Sequence, residues 1–151
     1  GEWQAADQVT LALMLAAIRS HRLARMRGDR RLPCETLNQI DQRWLRHSQD
    51  QFGFTAQQRV YQSCGKEAFA LSRQVGWTVG QLRPFGFFKF YDFLNFSLDA
   101  PQGHLPALWF WQLPWHQSWR LGGIGTGRGA AFGDAHMFDA LMLRLERCQA
   151  L

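Results

Sequence analysis

The stretch LPCETLNQIDQRWLRHSQDQFGFTAQQRVY, residues 32–61, contains two helix signals in succession. After Pro33, three apolar residues recur at i, i+3 and i+7, the spacing of one face of an amphipathic helix: Leu37, Ile40 and Trp44. This helix is predicted to end near Ser48. Thr55 and Gln58 then form a capping box, in which each side chain can satisfy a backbone donor, so the next helix is predicted to begin at Thr55.

Helix signals continue on both sides of this stretch. Upstream, Asp7 is positioned to cap a helix that ends in the arginine-rich residues 19–31 and carries a broad apolar face: Val9, Leu11, Met14, Leu15 and Ile18. Downstream, Gly65 and Gly76 should each end a short helix, because glycine readily takes the left-handed conformation found after helix C-termini. The chain closes with Asp134 as a candidate cap and a last helical stripe: Phe138, Leu141, Leu145 and Cys148.

Three segments interrupt the helical pattern. Residues 85–96 contain seven aromatics that fit either a helical stripe or an extended segment, so we expect irregular to helical structure there. Pro101 and Pro106 indicate a loop, since each proline disfavours helix in the residue before it. Residues 112–133 combine tryptophans with six glycines, which predicts the longest loop of the chain.

Composition indicates one folded domain over all 151 residues, with 46% hydrophobic and 19% charged residues. The net charge of +5, carried almost entirely by arginine, favours an anionic partner. The longest apolar run, residues 11–18, is far too short to span a membrane as a helix. The cysteines, Cys34, Cys64 and Cys148, are odd in number and widely spaced, so reduced thiols are expected.

Motifs that follow one another along the chain resemble those of the genomes-uncoupled-four family, the tetrapyrrole-binding regulators of magnesium chelatase. They are WQAADQVT (3–10), LPCETLNQIDQRW (32–44), HSQDQFGFTAQQRVY (47–61), VGW (75–77), FSLDAPQGHLP (96–106) and LRLERC (143–148). The resemblance implies an all-α, compact single domain of short helices, shaped like a cupped hand, with the long aromatic and glycine-rich loop before the C-terminal helix. It also implies that the first helix of the family's core domain begins upstream of Gly1.

The function implied by the resemblance is regulatory rather than catalytic. Such a protein binds protoporphyrin IX or Mg-protoporphyrin IX, has no intrinsic cofactor, and stimulates magnesium chelatase in chlorophyll biosynthesis through the large porphyrin-binding subunit. We expect it in the cytoplasm of a cyanobacterium or in the plastid stroma, soluble to peripherally associated with an anionic membrane. Residues 19–31 could meet such a membrane, although a solvated helix end is the favoured interpretation. No nucleic-acid reading motif is present in the sequence.

A porphyrin is a wide apolar disc with carboxylates along one edge, so its site needs apolar contacts and a cationic rim. The resemblance places the contacts in the aromatic segment and in a flap after the GHLP turn: Phe90, Leu94, Phe96, Leu105, Trp109, Phe110, Trp111, Gln112 and Leu113. Candidate contacts for the propionates are Lys89, Arg120 and Arg128, with Arg83 nearby in the sequence. The flap aromatics could instead pack in the core. If they cover the ligand, replacing Trp109 and Trp111 with alanine should weaken binding and leave the fold intact.

Two features of the site leave alternatives open. The family places an arginine in the flap where this chain has Trp111, Gln112, Leu113 and Pro114. The alternative function is therefore a bilin-binding or tetrapyrrole-sensing module that does not act on the chelatase. His104 could ligate the magnesium of a bound porphyrin, but a structural role in the turn is favoured, because it lies between Gly103 and Leu105.

Overall fold

The computed structural model describes residues 2–24, 32–79, 87–111 and 135–149, which are mostly helical, and this confirms the predicted fold class. In chain order the elements are α1 (Trp3–Ala24), α2 (Cys34–Ser48), α3 (Phe54–Ser63), α4 (Ala68–Gln74), β1 (Thr78–Val79), β2 (Phe87–Phe88), a 3-10 turn (Tyr91–Phe93), α5 (Leu108–Trp111) and α6 (Ala135–Gln149). None of the described helices combines the length and the hydropathy needed to cross a membrane. The loop predicted at 112–133 and the candidate cap Asp134 lie outside the described residues.

Helix α2 matches its predicted boundaries and its predicted buried stripe. Helix α3 begins one residue earlier than predicted, and the Thr55–Gln58 capping box is wrong. Asp41 of α2 caps α3 instead: its Oδ1 accepts a hydrogen bond from the Thr55 backbone N–H at 2.9 Å. Gly53 precedes the helix at φ +126, and a Cβ there would lie 2.7 Å from the Asp41 Oδ1. The turn therefore requires glycine, because both the backbone conformation and the close approach exclude a side chain.

Helices α3 and α4 end where the sequence predicts, and α6 buries the predicted face. Helix α3 ends before Gly65 at φ +71, and α4 ends before Gly76 at φ +80. Helix α6 buries the predicted stripe together with Met142. The glycine signals and the helical periodicity were thus sufficient to define these elements.

The extended pair β1 and β2 was not foreseen. The two strands are antiparallel, with Thr78 opposite Phe88 and Val79 opposite Phe87. Residues 85–96, expected to be irregular to helical, therefore contain a strand and then the 3-10 turn in their described part. Aromatic residues suit both structures, so the local pattern could not decide between them. The pairing with β1, which the local sequence does not show, determined the outcome.

The cysteine prediction is wrong for two of the three residues. Cys34, at the start of α2, and Cys148, near the end of α6, form a disulfide with a Cα–Cα distance of 5.2 Å. They are 114 residues apart in the sequence, so only the packing of α2 on α6 brings them together. Cys64 is a free thiol.

Helix α1 differs from its prediction in both its start and its buried face. It begins at Trp3, so Asp7 lies within the helix and does not cap it. Leu11 and Met14 are buried as expected, but Val9 and Leu15 are 56% and 42% exposed. The buried stripe instead includes Asp7 and Thr10, and the Thr10 Oγ1 accepts a hydrogen bond from the Trp44 indole N–H at 2.9 Å. Asp7 and Thr10 are thus buried because they have specific hydrogen-bond partners, which a pattern of apolar residues does not reveal.

The Asp7 carboxylate joins α1 to two other elements. It is fully buried and accepts hydrogen bonds from the backbone N–H groups of Ala107 and Leu108, at 3.0 Å each, at the start of α5. The Tyr91 hydroxyl of the 3-10 turn donates to the same carboxylate at 3.1 Å. Burial raises the pKa of Asp7 to about 6, and the hydrogen bonds from Ala107, Leu108 and Tyr91 oppose that rise. Asp7 thus caps α5, a helix distant in sequence, rather than its own helix.

This pKa predicts a pH-dependent difference between the protein and an Asp7→Asn variant, which cannot ionise at this position. Because the folded-state pKa lies above the unfolded value of 3.8, the native state binds the proton more tightly. The stability that protonation contributes is therefore fully present below the unfolded pKa and is lost as the pH rises to about 6. Relative to the variant, the unfolding free energy should increase by about 2 kcal/mol between about pH 7.5 and about pH 4.5 in urea titrations. Asp92→Asn, at an exposed position, is the control for the loss of one carboxylate. If the difference in unfolding free energy between the protein and Asp7→Asn does not change with pH, the raised pKa is contradicted.

Candidate functional site

An aromatic cluster around Trp77 forms the part of the core that contains the described residues of the predicted flap. Trp77 is fully buried, stacks on Phe110 at 5.2 Å between ring centroids, and meets Trp111 edge-on at 5.0 Å. Its indole N–H donates to the His104 backbone carbonyl at 2.8 Å. Phe138 of α6 closes the cluster at 6.2 Å from Trp77. The predicted flap and the GHLP turn therefore meet at one buried tryptophan.

The three described residues of the predicted flap are part of this core. Trp109, Phe110 and Trp111 form most of α5 and are at most 6% exposed. Trp109 stacks on Phe138 at 5.6 Å, and the Trp111 indole N–H donates to the Lys89 backbone carbonyl at 3.0 Å. The expectation that their replacement leaves the fold intact does not fit this burial. Contact of these rings with a ligand stays a prediction.

The aromatic residues most accessible to a ligand lie beside α5, after strand β2. Phe90 and Phe93 are 55% and 75% exposed, with ring centroids 6.1 Å apart. Phe88, two residues before Phe90, is half-buried and packs on Phe110 of the core at 5.3 Å. We call Phe88, Lys89, Phe90 and Phe93 the hairpin surface. Phe93 was not among the predicted contacts, although its i, i+3 spacing from Phe90 was visible in the sequence.

The remaining predicted contacts are distributed between the core and the undescribed part of the chain. Leu94 and Leu105 are buried, and Phe96 is half-buried with its ring edge-on to Tyr91 at 5.2 Å. The structure thus joins Lys89 to Trp111 through a hydrogen bond, next to the exposed Phe90, whereas Trp111, Leu94 and Leu105 are all buried. The other predicted residues lie outside the described ranges: Gln112, Leu113, Arg120, Arg128 and Arg83.

His104 has the structural role that the sequence favoured. Its Nε2 accepts a hydrogen bond from the Asn95 backbone N–H at 3.1 Å, so Nδ1 carries the proton and donates to the Val75 carbonyl. Burial lowers the pKa of His104, which keeps this tautomer neutral. Both ring nitrogens are occupied, which leaves neither available to ligate a metal. Within residues 2–24, 32–79, 87–111 and 135–149, no cluster of His, Cys, Asp and Glu could hold a metal ion.

Sequence comparisons match the chain to one family. The model of the GUN4-like family matches residues 1–120. A Ycf53-like protein of Synechocystis is 37% identical over 81 residues, which are 52% of this chain and 32% of that protein. An uncharacterized protein ycf53 of Pyropia yezoensis is 27% identical over 77 residues, 51% of this chain and 31% of that protein. The matched region thus spans about a third of the length of these curated relatives.

Solved structures show the same fold. The ligand-free structure of Arabidopsis thaliana GUN4 superposes with a TM-score of 0.55 and 23% identity, covering 70% of this chain and 72% of that chain. The structure of GUN4 from Chlamydomonas reinhardtii gives a TM-score of 0.52 at 23% identity, over 70% of this chain and 71% of that chain. At this identity the likeness concerns the fold.

The division between buried and exposed aromatics predicts different costs of truncation. Trp109→Ala should lower the unfolding free energy by about 3 to 5 kcal/mol, because it leaves a large cavity beside Phe138. Phe90→Ala should lower it by less than about 1 kcal/mol, because more than half of that side chain is already in solvent. Urea unfolding followed by circular dichroism measures both. Similar small losses for the two variants would show that Trp109 does not lie in the core.

Proposed function

The chain belongs to the GUN4-like family, and we propose on this basis that it is a non-catalytic regulatory protein that binds protoporphyrin IX and Mg-protoporphyrin IX and stimulates magnesium chelatase in chlorophyll biosynthesis. The family match over residues 1–120 is the observation that carries the proposal. Residues 1–151 then act as one tetrapyrrole-binding core domain. The partner is the large porphyrin-binding subunit of the chelatase, and the setting is a cyanobacterial cytoplasm or a plastid stroma.

The hairpin surface supplies the apolar contacts of the proposed site. Phe90 and Phe93 expose their rings next to one another, and a porphyrin macrocycle offers a flat apolar face on which such rings pack. Aromatic side chains provide a large contact area and lose little rotamer entropy on binding. The half-buried Phe88 packs on Phe110 and Trp111, so the chain that leads to Phe90 is attached to the core.

The charged contacts of the proposed site begin at Lys89. Trp77 and Trp111 hold the Lys89 backbone from two sides: the Lys89 N–H donates to the Trp77 carbonyl at 2.8 Å, and the Trp111 indole donates to the Lys89 carbonyl. A lysine can pair with a propionate as a point charge. The segment with Gln112, Leu113, Arg120 and Arg128 follows Trp111 directly, and we include it in the proposed site.

Porphyrin titrations test the proposed site. Protoporphyrin IX and Mg-protoporphyrin IX are each added to the chain, with binding followed by tryptophan quenching and by the porphyrin absorption band. The double variant Phe90→Ala, Phe93→Ala should bind about tenfold more weakly, because two exposed ring contacts are lost. Leu143→Ala, another exposed apolar position, on α6, is the matched control and should bind normally. Equal affinity in all three proteins would place the ligand elsewhere, and no binding to a folded protein would contradict porphyrin binding altogether.

A magnesium insertion assay tests the regulatory part of the proposal. Reconstituted chelatase subunits should convert protoporphyrin faster when the chain is added, and the Phe90→Ala, Phe93→Ala variant should stimulate less at a limiting porphyrin concentration. The chain alone should insert no magnesium. Porphyrin binding without any stimulation would instead support a tetrapyrrole sensor that does not act on the chelatase. Preference for a linear bilin such as biliverdin in the same titrations would support the bilin-binding alternative.

A further inference from the structure

A groove of about 480 Å³ lies between α1 and α2, and it shares no residue with the hairpin surface. Its volume is within the range of roughly 300–1,000 Å³ that is typical of binding sites. The floor and walls are apolar: Trp3, Ala6, Val9 and Leu13 from α1, and Ile40 and Trp44 from α2. We call this the α1–α2 groove.

The groove follows the two helices lengthwise. Its α1 lining recurs every three or four positions from Glu2 to Leu13, which is one face of a helix over about 16 Å. Its α2 lining extends from Ile40 to His47, about 10 Å of helix. An elongated trough between two helix faces fits the side-chain ridge of a third helix better than it fits a disc-shaped ligand.

The α1 edge of the groove exposes apolar side chains. Val9 and Leu13 are one helical turn apart and are 56% and 45% exposed. Between the helices, Trp3 is half-buried, stacked on Trp44 at 5.8 Å and edge-on to Phe52 at 5.4 Å. These contacts fix the floor, while the Val9 and Leu13 side chains remain available to a partner. Adjacent exposed apolar residues of this kind mark interaction sites.

The α2 edge of the groove is basic. Arg43 and His47 line it, and within the part of the chain that the structure describes neither side chain forms a hydrogen bond or an ion pair. Among the described residues that line the groove, only Glu2, at its end, is acidic. The Arg43 guanidinium therefore complements negative charge, the His47 ring can donate a hydrogen bond to an acidic group, and a fixed charge such as that of Arg43 contributes to the choice of partner and register.

We propose that the α1–α2 groove docks an amphipathic α-helix of a partner protein, with an apolar stripe against Trp3, Val9 and Leu13 and acidic side chains against Arg43 and His47. The proposal is independent of porphyrin binding. It requires that the partner helix be apolar on one face and acidic on the flank that faces α2, the arrangement of a helix-in-groove complex.

The test uses a labelled model peptide of about 18 residues, long enough to form a helix, with leucine at i, i+3, i+4 and i+7 and glutamate beside this stripe. Fluorescence anisotropy should show saturable binding to the chain. Leu13→Glu should weaken binding at least about tenfold, because it places a charge against the apolar stripe. The matched control is Leu15→Glu on the same helix: Leu15 is similarly exposed, at 42%, but does not line the groove, and this variant should bind normally.

Charge reversal tests the basic edge separately. Arg43→Glu should weaken binding of the glutamate peptide about tenfold, and a peptide with lysine in place of glutamate should recover it with this variant. Arg46→Glu, a change of the same charge on an exposed arginine outside the groove lining, is the control. Circular dichroism confirms that each variant is folded.

Three results would overturn the proposal. One is the absence of saturable binding of the glutamate peptide. A second is equal affinity for Leu13→Glu and Leu15→Glu, which would place the peptide elsewhere. The third is a dimer in sedimentation velocity that Leu13→Glu dissociates, since the occupant would then be a second copy of the chain. Leu13→Glu should bind porphyrin normally in a titration. This measurement separates failure of the docking proposal from failure of the proposed porphyrin binding.

Discussion

The buried carboxylate of Asp7 is the interaction on which the arrangement of the aromatic core depends. Removing a carboxylate from water is costly, and three donors offset part of that cost: the backbone N–H groups of Ala107 and Leu108 and the hydroxyl of Tyr91. Each buried donor left without its acceptor would cost about 1 to 3 kcal/mol. The α5 backbone and the 3-10 turn are therefore held to α1 by one side chain. Apolar packing alone would not fix their positions as specifically.

This constraint reaches the proposed porphyrin site from two directions. Tyr91 directly follows Phe90, so the hydrogen bond to Asp7 orients the turn that carries the exposed rings. Leu108 precedes Trp109, so the same carboxylate sets the start of the helix whose last residue, Trp111, binds the Lys89 carbonyl. The hairpin surface is thus supported by a closed set of contacts among α1, α5 and β2. As the proposed ligand surface it therefore rests on a backbone that is already positioned, which lowers the entropic cost of binding.

The sequence predicted those parts of the fold in which apolar periodicity and burial coincide. Helices α2 and α6 bury stripes such as Leu37, Ile40 and Trp44, and both were predicted correctly. Helix α1 buries Asp7 and Thr10 and exposes Val9 and Leu15, because long-range hydrogen bonds decide its orientation and no local pattern encodes them. The Cys34–Cys148 disulfide has the same origin in tertiary packing.

For the candidate site, residue type alone could not separate the two uses of aromatic side chains. Phe90 and Trp109 are equally suited to pack on a porphyrin or in a core, and the outcome depends on whether a neighbouring helix covers them. Phe138 covers Trp109, whereas nothing among the described residues covers more than half of Phe90. The same reasoning applies to α1, where Asp7 and Leu11 are buried while Val9 and Leu13 expose apolar surface along the groove. One helix therefore supports the proposed ligand surface through its buried side and carries the proposed docking groove on its flank, so substitutions at Asp7 and at Leu13 act on physically different properties.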